Sequence, residues 1–412
     1  PDQEARYWKV SDEALNRIFP NSTRVELHKE AGQLPIRPMS HWGIELFLSQ
    51  FGFGLLSMAF EVDLDAFEPI ASDVEEGTRN QPSDTASAGL SGDAAASAST
   101  GETSASVPTN EELAVRLIYG MSQIRSAKKG FTTFTVPHPL DDPERQRQLR
   151  EAGKIDDVPK RPGPDAPLEE RFGRPGGSFD LPELARWLLP FDLEPFQVQV
   201  EASNAPQTGT AAKRPNFIAG QFNLYTVARI TPPSDGLPHT LSPDGPAGST
   251  LANLAQLQGP EHAGNQLADS HLEYLQLNRN HLSAVTSMAA THLVLDQPGD
   301  VTYSEQRPHS LMSKYFLPFL LSHHQRRHAE VTVLEVRDGL DKLLKGDPTP
   351  AADLAMARDL AAFEVSTRFH AVSQRHVLNV WYQLCLRGEG AAEALDRVGD
   401  AVRRLEQAMS RL

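Results

Sequence analysis

The residues with most capacity for chemistry are histidines. His323, His324 and His328 are close together, and the last two are four apart, so a helix would place them on one face. Two imidazoles at that spacing can share a metal ion, but a protein site normally needs a third ligand. The pair reads instead as part of a helical seam or interface. His262, His271, His281 and His292 recur every nine to eleven residues, which is neither a helical face nor a ligand spacing. They read as ordinary surface or core histidines. The acidic pairs Asp63 with Asp65 and Asp141 with Asp142 read as solvated loop charges, since acid–base work would need one of them in a pocket. Phe51 and Phe53, each beside a glycine, suit turn and core packing. The chain has no GxGxxG, GxxxxGK[ST], GxSxG or HExxH. No catalytic, cofactor-binding or metal-binding residue is assigned, and the expectation is a protein that is not an enzyme.

Composition narrows the partners. The 412 residues carry 54 acidic and 39 basic side chains, a formal charge of −15, and no dense Lys/Arg run. Such a surface repels phosphate backbones, so nucleic acid is not an expected partner. One cysteine, Cys385, precludes a disulfide within the chain and fits a reducing compartment; beside the mostly apolar Val380–Leu384 it reads as a small core residue. No amino-terminal apolar run suggests a signal peptide, and no stretch nears the roughly 18 apolar residues of a membrane span. The chain as given is expected to be soluble.

The elements follow from periodicity. Ile44 to Val62 reads as two strands around the turn Gln50–Gly54. Residues 71–106 are mostly Ala, Ser, Thr, Gly and acids, cannot bury enough surface to offset ordering, and read as a low-complexity insertion. Glu111 to Ile124 is an amphipathic helix capped by Thr109 or Asn110. Phe131 to Val136 suits a short strand, and residues 137–178, with eight prolines, read as a second irregular insertion. A short helix starts near Asp180, residues 217–230 alternate as a central strand, and a Pro/Gly loop at 232–249 follows. From about residue 251 the expectation is mainly helical. Leu317, Leu321, His324, His328 and Val331 are spaced 4, 3, 4, 3, but the register fails at Glu335 and Asp338, and Val331–Val336 could be a short strand. Pro318 marks a first helical turn or a kink. A helix over Ala352–Leu386 stops at Gly388 and Gly390.

The last helix carries the clearest pattern. Leu395, Val398, Val402, Leu405 and Met409 form a 3-4 seam for helix packing or oligomerisation. The spacing reaches Leu412 with no stop signal, so the helix is expected to run further.

Three pieces then resemble a known family: Phe51-Gly52-Phe53-Gly54 in the strand pair, Tyr315–Leu321 with His324-Gln325-Arg326, and Phe363–Phe369 with Val372-Ser373-Gln374 before the terminal heptad helix. Together they resemble the cytoplasmic region of bacterial CorA-like proteins, relatives of the magnesium transporters. The resemblance covers about half the chain and is strongest from 310 to 412. It lacks the family's membrane pair and its Gly-Met-Asn pore motif, and the two insertions are foreign to a compact transporter domain. The expected fold is α+β: an amino-terminal α/β domain over 1–250 with a mixed or antiparallel sheet and the insertions at 71–106 and 137–178 that composition marks, then a helical domain over 251–412 that the resemblance extends as a coiled-coil-like stalk into a membrane segment. The implied function is sensing or gating for a channel, transporter or membrane effector at the cytoplasmic side of the bacterial inner membrane. A homo-oligomer, a pentamer by resemblance, and a divalent cation such as magnesium come with it. The alternative is a soluble coiled-coil scaffold.

Overall fold

The computed structural model describes residues 6–27, 32–39, 43–48, 54–69, 108–122, 133–163, 165–188, 223–231, 240–257, 272–296, 301–302, 306–344, 369 and 371–409. These residues form a mixed α+β structure with three sheets among them. The expected low-complexity segment at 71–106, the Phe51–Phe53 turn and residues 352–368 of the expected helix Ala352–Leu386 lie outside these residues.

In the amino-terminal part β1 (Arg6–Lys9), β4 (Ile44–Leu48) and β5 (Gly54–Met58) form an antiparallel three-stranded sheet. The β4–β5 pair is the hairpin that alternation predicts. A second sheet runs β6 (Phe60–Val62), β3 (Gly32–Pro38), β2 (Arg24–Leu27), β8 (Thr133–Thr135), β9 (Ser178–Asp180), with β7 (Glu68–Pro69) also on β3. Helix α1 (Asp12–Ile18) starts at Ser11, whose hydroxyl accepts the Ala14 amide, and buries Leu15, Ile18 and the following Phe19. Phe19 meets Phe60, Phe134 and Phe179 at ring-centroid separations of 5.3–5.5 Å, closing this core with edge-on aromatic contacts.

Helix α2 (Asn110–Ser122) begins with a reciprocal cap: the Glu112 amide donates to Thr109 Oγ1 and the Thr109 amide to the Glu112 carboxylate. Residues 137–178 correct the expected irregular insertion. They hold α3 (Pro143–Glu151) and α4 (Leu168–Arg171), and β9 starts at residue 178. Asp142 caps two α3 amides and Pro143 takes the first turn, so the proline that suggested irregularity is a helix start. Helix α5 (Leu181–Leu188) starts at Asp180 as expected, again with a reciprocal Asp180–Glu183 cap.

The third sheet runs β10 (Leu224–Ile230), β13 (Ala289–Leu295), β12 (His281–Val285), β11 (Glu273–Asn278). Two expectations are corrected here. Among the described residues the strand 224–230 is an edge strand, parallel to its neighbour β13, and not central. Beyond 251 the described residues 273–295 are mainly strand, so a boundary at 250 would divide a sheet. Strand β13 is buried along its whole length and β12 likewise; buried on both faces, they lose the apolar–polar alternation that marks a half-exposed strand. Helix α6 (Pro246–Ala255), with Val115 and Ile118 of α2, covers one face through Leu251 and Leu254 against Leu282, Ala284 and Leu293.

The opposite face carries the carboxy-terminal helices. These are α7 (Arg307–Ser310), a π-helical segment (Leu311–Tyr315), α8 (Phe316–Leu344), α9 (His376–Gly388) and α10 (Ala391–Met409). Leu311, Tyr315, Phe319, Trp381, Leu384 and Cys385 pack on Val285, Ala290 and Val294. Gly388 brings α9 against β12 so closely that an added Cβ would lie 2.9 Å from the Val285 carbonyl oxygen. Gly390, at φ +72°, makes the turn into α10.

Helix α8 runs 29 residues through Val331–Val336, which corrects the short-strand alternative. β-branched residues disfavour a helix by only tenths of a kcal/mol each, and packing overrides that. Val336 and Ala329 of α8 bury Leu395, Val398 and Ala394 of α10, with Val402 against the same cluster. The seam Leu395–Val398–Val402 is therefore used on α8 of the same chain. The side chains of Leu405 and Met409 lie outside the described residues, and a long coiled-coil stalk is not shown.

Candidate functional site

Period-two alternation decides which strand residues face the helices. On β12 these are His281, Ser283 and Val285; on β13, Ala290, His292 and Val294; on β10, Tyr225 and Val227. Ser283 and His292 are direct partners in the β12–β13 ladder. Four polar side chains thus meet beneath Tyr315 and Trp381, with His281, Ser283 and His292 each 0% exposed.

Their hydrogen bonds have one direction. Arg307 can only donate, and its Nη2 lies 2.6 Å from His281 Nδ1, so that nitrogen accepts and the ring proton sits on Nε2. His281 Nε2–H then donates to Ser283 Oγ at 3.0 Å, and the Ser283 hydroxyl to His292 Nδ1 at 2.7 Å. That leaves the His292 proton on Nε2, donating to the Tyr225 hydroxyl at 2.8 Å. Tyr225 donates in turn to the Leu311 carbonyl at 2.8 Å. The path leaves the helix at Arg307, crosses three strands and returns to the same helical run at Leu311. We call it the arch.

Neutral imidazoles are built into this pattern, because each ring both donates and accepts. Burial, with Arg307 beside it, holds His281 down to about 3 from the usual 6.5. Burial pushes His292 well below 6.5, with His281 and Arg307 adding to the effect. Burial also raises the Tyr225 phenol well above 10, so it remains a donor.

A hydroxyl on an imidazole whose other nitrogen is oriented by a third group is the geometry of an activated nucleophile. Here it is sealed: substrate has no path to a serine and histidine with no exposed surface. What the arrangement does in this state is fix the helical run on the sheet, together with Trp381 Nε1, which donates to the Tyr315 carbonyl at 2.8 Å.

A second polar cluster lies between α8 and α9. Glu389 is 1% exposed, and neither carboxylate oxygen has a hydrogen-bond partner among the described residues. The Ser322 hydroxyl beside it is turned to the Phe319 carbonyl, and His323 Nδ1 stands 3.9 Å from Glu389 Oε2. Burial raises the Glu389 carboxyl well above its usual 4.5, against the weaker opposing pull of the neighbouring Ser322 hydroxyl and then of Arg326 and Arg327. Burial likewise lowers His323 to about 3. The Asn223 amide donates to the His323 ring at 2.8 Å.

Of the histidines weighed from sequence, His324 and His328 stack edge-on at 6.2 Å on α8, while His323 turns to Glu389. Among the described residues no group of three or more His, Cys, Asp or Glu side chains is placed to hold a metal ion. His281 and His292, read from spacing as ordinary histidines, are the two that the fold joins. Compared with family models, curated proteins and solved structures, the chain matches none. No helix of the described residues is long and apolar enough to cross a membrane.

Proposed function

We propose that the chain is the sensing or gating domain of a CorA-like ion channel, transporter or membrane effector, on the cytoplasmic side of a bacterial inner membrane. It would act as a homo-oligomer that responds to a divalent cation such as magnesium. The reading draws its support from one feature, the mechanical continuity between sheet and long helices. Arg326 of α8 donates to the Ser287 carbonyl in the β12–β13 turn at 2.8 Å, and Tyr382 of α9 donates to Gln325 of α8 at 2.5 Å. Helix α10 then packs on α8 through Leu395 and Val398. A displacement of the sheet therefore passes to the α8–α10 pair through buried contacts, which a gating domain requires.

The alternative, a soluble coiled-coil scaffold, draws on the same seam, since Leu395 and Val398 bury within one chain. Light scattering and hydrogen exchange, each with and without magnesium chloride, separate the two. The gating reading expects a closed homo-oligomer and slowed exchange in α8 and α10 when magnesium is added. A monomer whose exchange ignores magnesium sinks it and leaves the scaffold.

A further inference from the structure

The π-helical segment Leu311–Tyr315 has a local cause in the sequence. Pro318 has no amide hydrogen, and in a regular α-helix its ring would press on the carbonyl of residue 314. A wider turn just before it relieves that contact. Relief leaves carbonyls poorly matched to backbone donors, and side chains take them. Ser313 Oγ donates to the His309 carbonyl at 2.8 Å, Tyr225 to Leu311, and Trp381 to Tyr315. The Leu311 carbonyl also accepts the Phe316 amide, the five-residue bond that defines the π turn. The opposite side of this run is open: Gln306, His309, Ser310, Ser313 and Lys314 line a depression of about 460 Å³.

We infer that the arch is a register lock. Through its two feet, Arg307 on His281 and Tyr225 on Leu311, it holds the π form and with it the angular phase of α7 against α8. The second state is the α-helical register, in which one residue of extra winding is lost. That change turns α7 by about 100° about the helix axis and takes Arg307 off His281. The handle is β10, which among the described residues is an edge strand hydrogen-bonded to β13, so a partner that shifts β10 withdraws Tyr225 and frees the turn. The lock goes beyond the gating reading and does not depend on a membrane or a magnesium ion.

Tyr225→Phe removes one oxygen and keeps the ring packing on Phe316 and Phe319. In the full chain, exchange of the 311–316 amides should quicken about tenfold, the scale of one lost hydrogen bond, while β11 and β12 remain unchanged. An unchanged rate overturns the lock, and so does an equal rise throughout the sheet, which would make the arch a general stabiliser. Tyr225→Phe with Pro318→Ala removes both restraints, and its crystal structure should show one continuous α-helix from α7 through α8. Retention of the π turn in that double variant also overturns the proposal. If the double variant does not fold, the single-variant exchange rates decide.

Discussion

Acid should unfold this protein well before its carboxylates are titrated. His281, His292 and His323 are buried and neutral, with His281 and His323 held down to about 3 and His292 well below 6.5. In the unfolded chain each takes a proton near 6.5. Their contribution is fully present above about 6.5 and is lost as pH falls toward the folded values, by roughly 1.4 kcal/mol per pH unit for each imidazole. His292 adds to this loss and Glu389 opposes it, so the net loss is about 3 kcal/mol per unit, the share of His281 and His323. Two units then remove about 6 kcal/mol, comparable with the whole stability of a typical domain. Thermal melts from about pH 8 to pH 4 should show Tm falling steeply below 6.5. Imidazole Cε1–H resonances should show histidines that do not titrate while the protein stays folded. A flat Tm between pH 7 and 5, or every histidine titrating near 6.5, contradicts the buried neutral network.

Glu389→Gln is expected to stabilise the protein at neutral pH, an unusual direction for a core substitution. The carboxyl is raised well above 4.5 chiefly by burial, and its place just past α9, at the negative end of the helix dipole, works the same way. A group raised in the folded state gives its full contribution below the unfolded value and loses it as pH climbs to the folded one. At pH 7 the unfolded chain ionises and the folded chain resists, which disfavours folding. Glutamine has nearly the same shape and cannot ionise. Its advantage should grow by roughly 1.4 kcal/mol per unit from about pH 5 upward. Chemical denaturation at three pH values measures that slope. A destabilised variant, or an advantage independent of pH, would mean that Glu389 is ionised and held by a partner.

Sequence reading succeeded where a side chain announces a local bond. Thr109 and Asp180 cap the helices they precede, and the β4–β5 hairpin follows from apolar alternation. It failed where burial is two-sided. Strand β13, Ala289–Leu295, has no polar face, so its period is hidden, and the helical expectation beyond 251 absorbed it. The arch was missed for the same reason. His281 and Ser283 share a parity on one strand, and His292 shares the matching parity on the next. That signal appears only once Thr286–Met288 is recognised as the turn between them. Tyr225 and Arg307 could not be found this way, since a parallel pairing and a helix crossing bring them in from outside the hairpin.

The parallel pairing of β10 with β13 also sets a clock. Strands β11, β12 and β13 are joined by short turns and close small loops, whereas β10 reaches β13 only across α6 and both intervening strands. Loop-closure entropy makes the meander the early event and the arrival of β10 a late one. Synthesis runs the other way, because β10 leaves the ribosome before the strand it needs. During that interval the nascent chain holds a strand with no ladder to join, and the His292 ring has no phenol to receive its proton. Pulse-labelled exchange during refolding should find β12 amides protected ahead of those in β10. Simultaneous protection would place β10 in the first nucleus. The helical run from Arg307 can find its final winding only after Tyr225 docks, so the last step of folding tests whether every earlier one was correct.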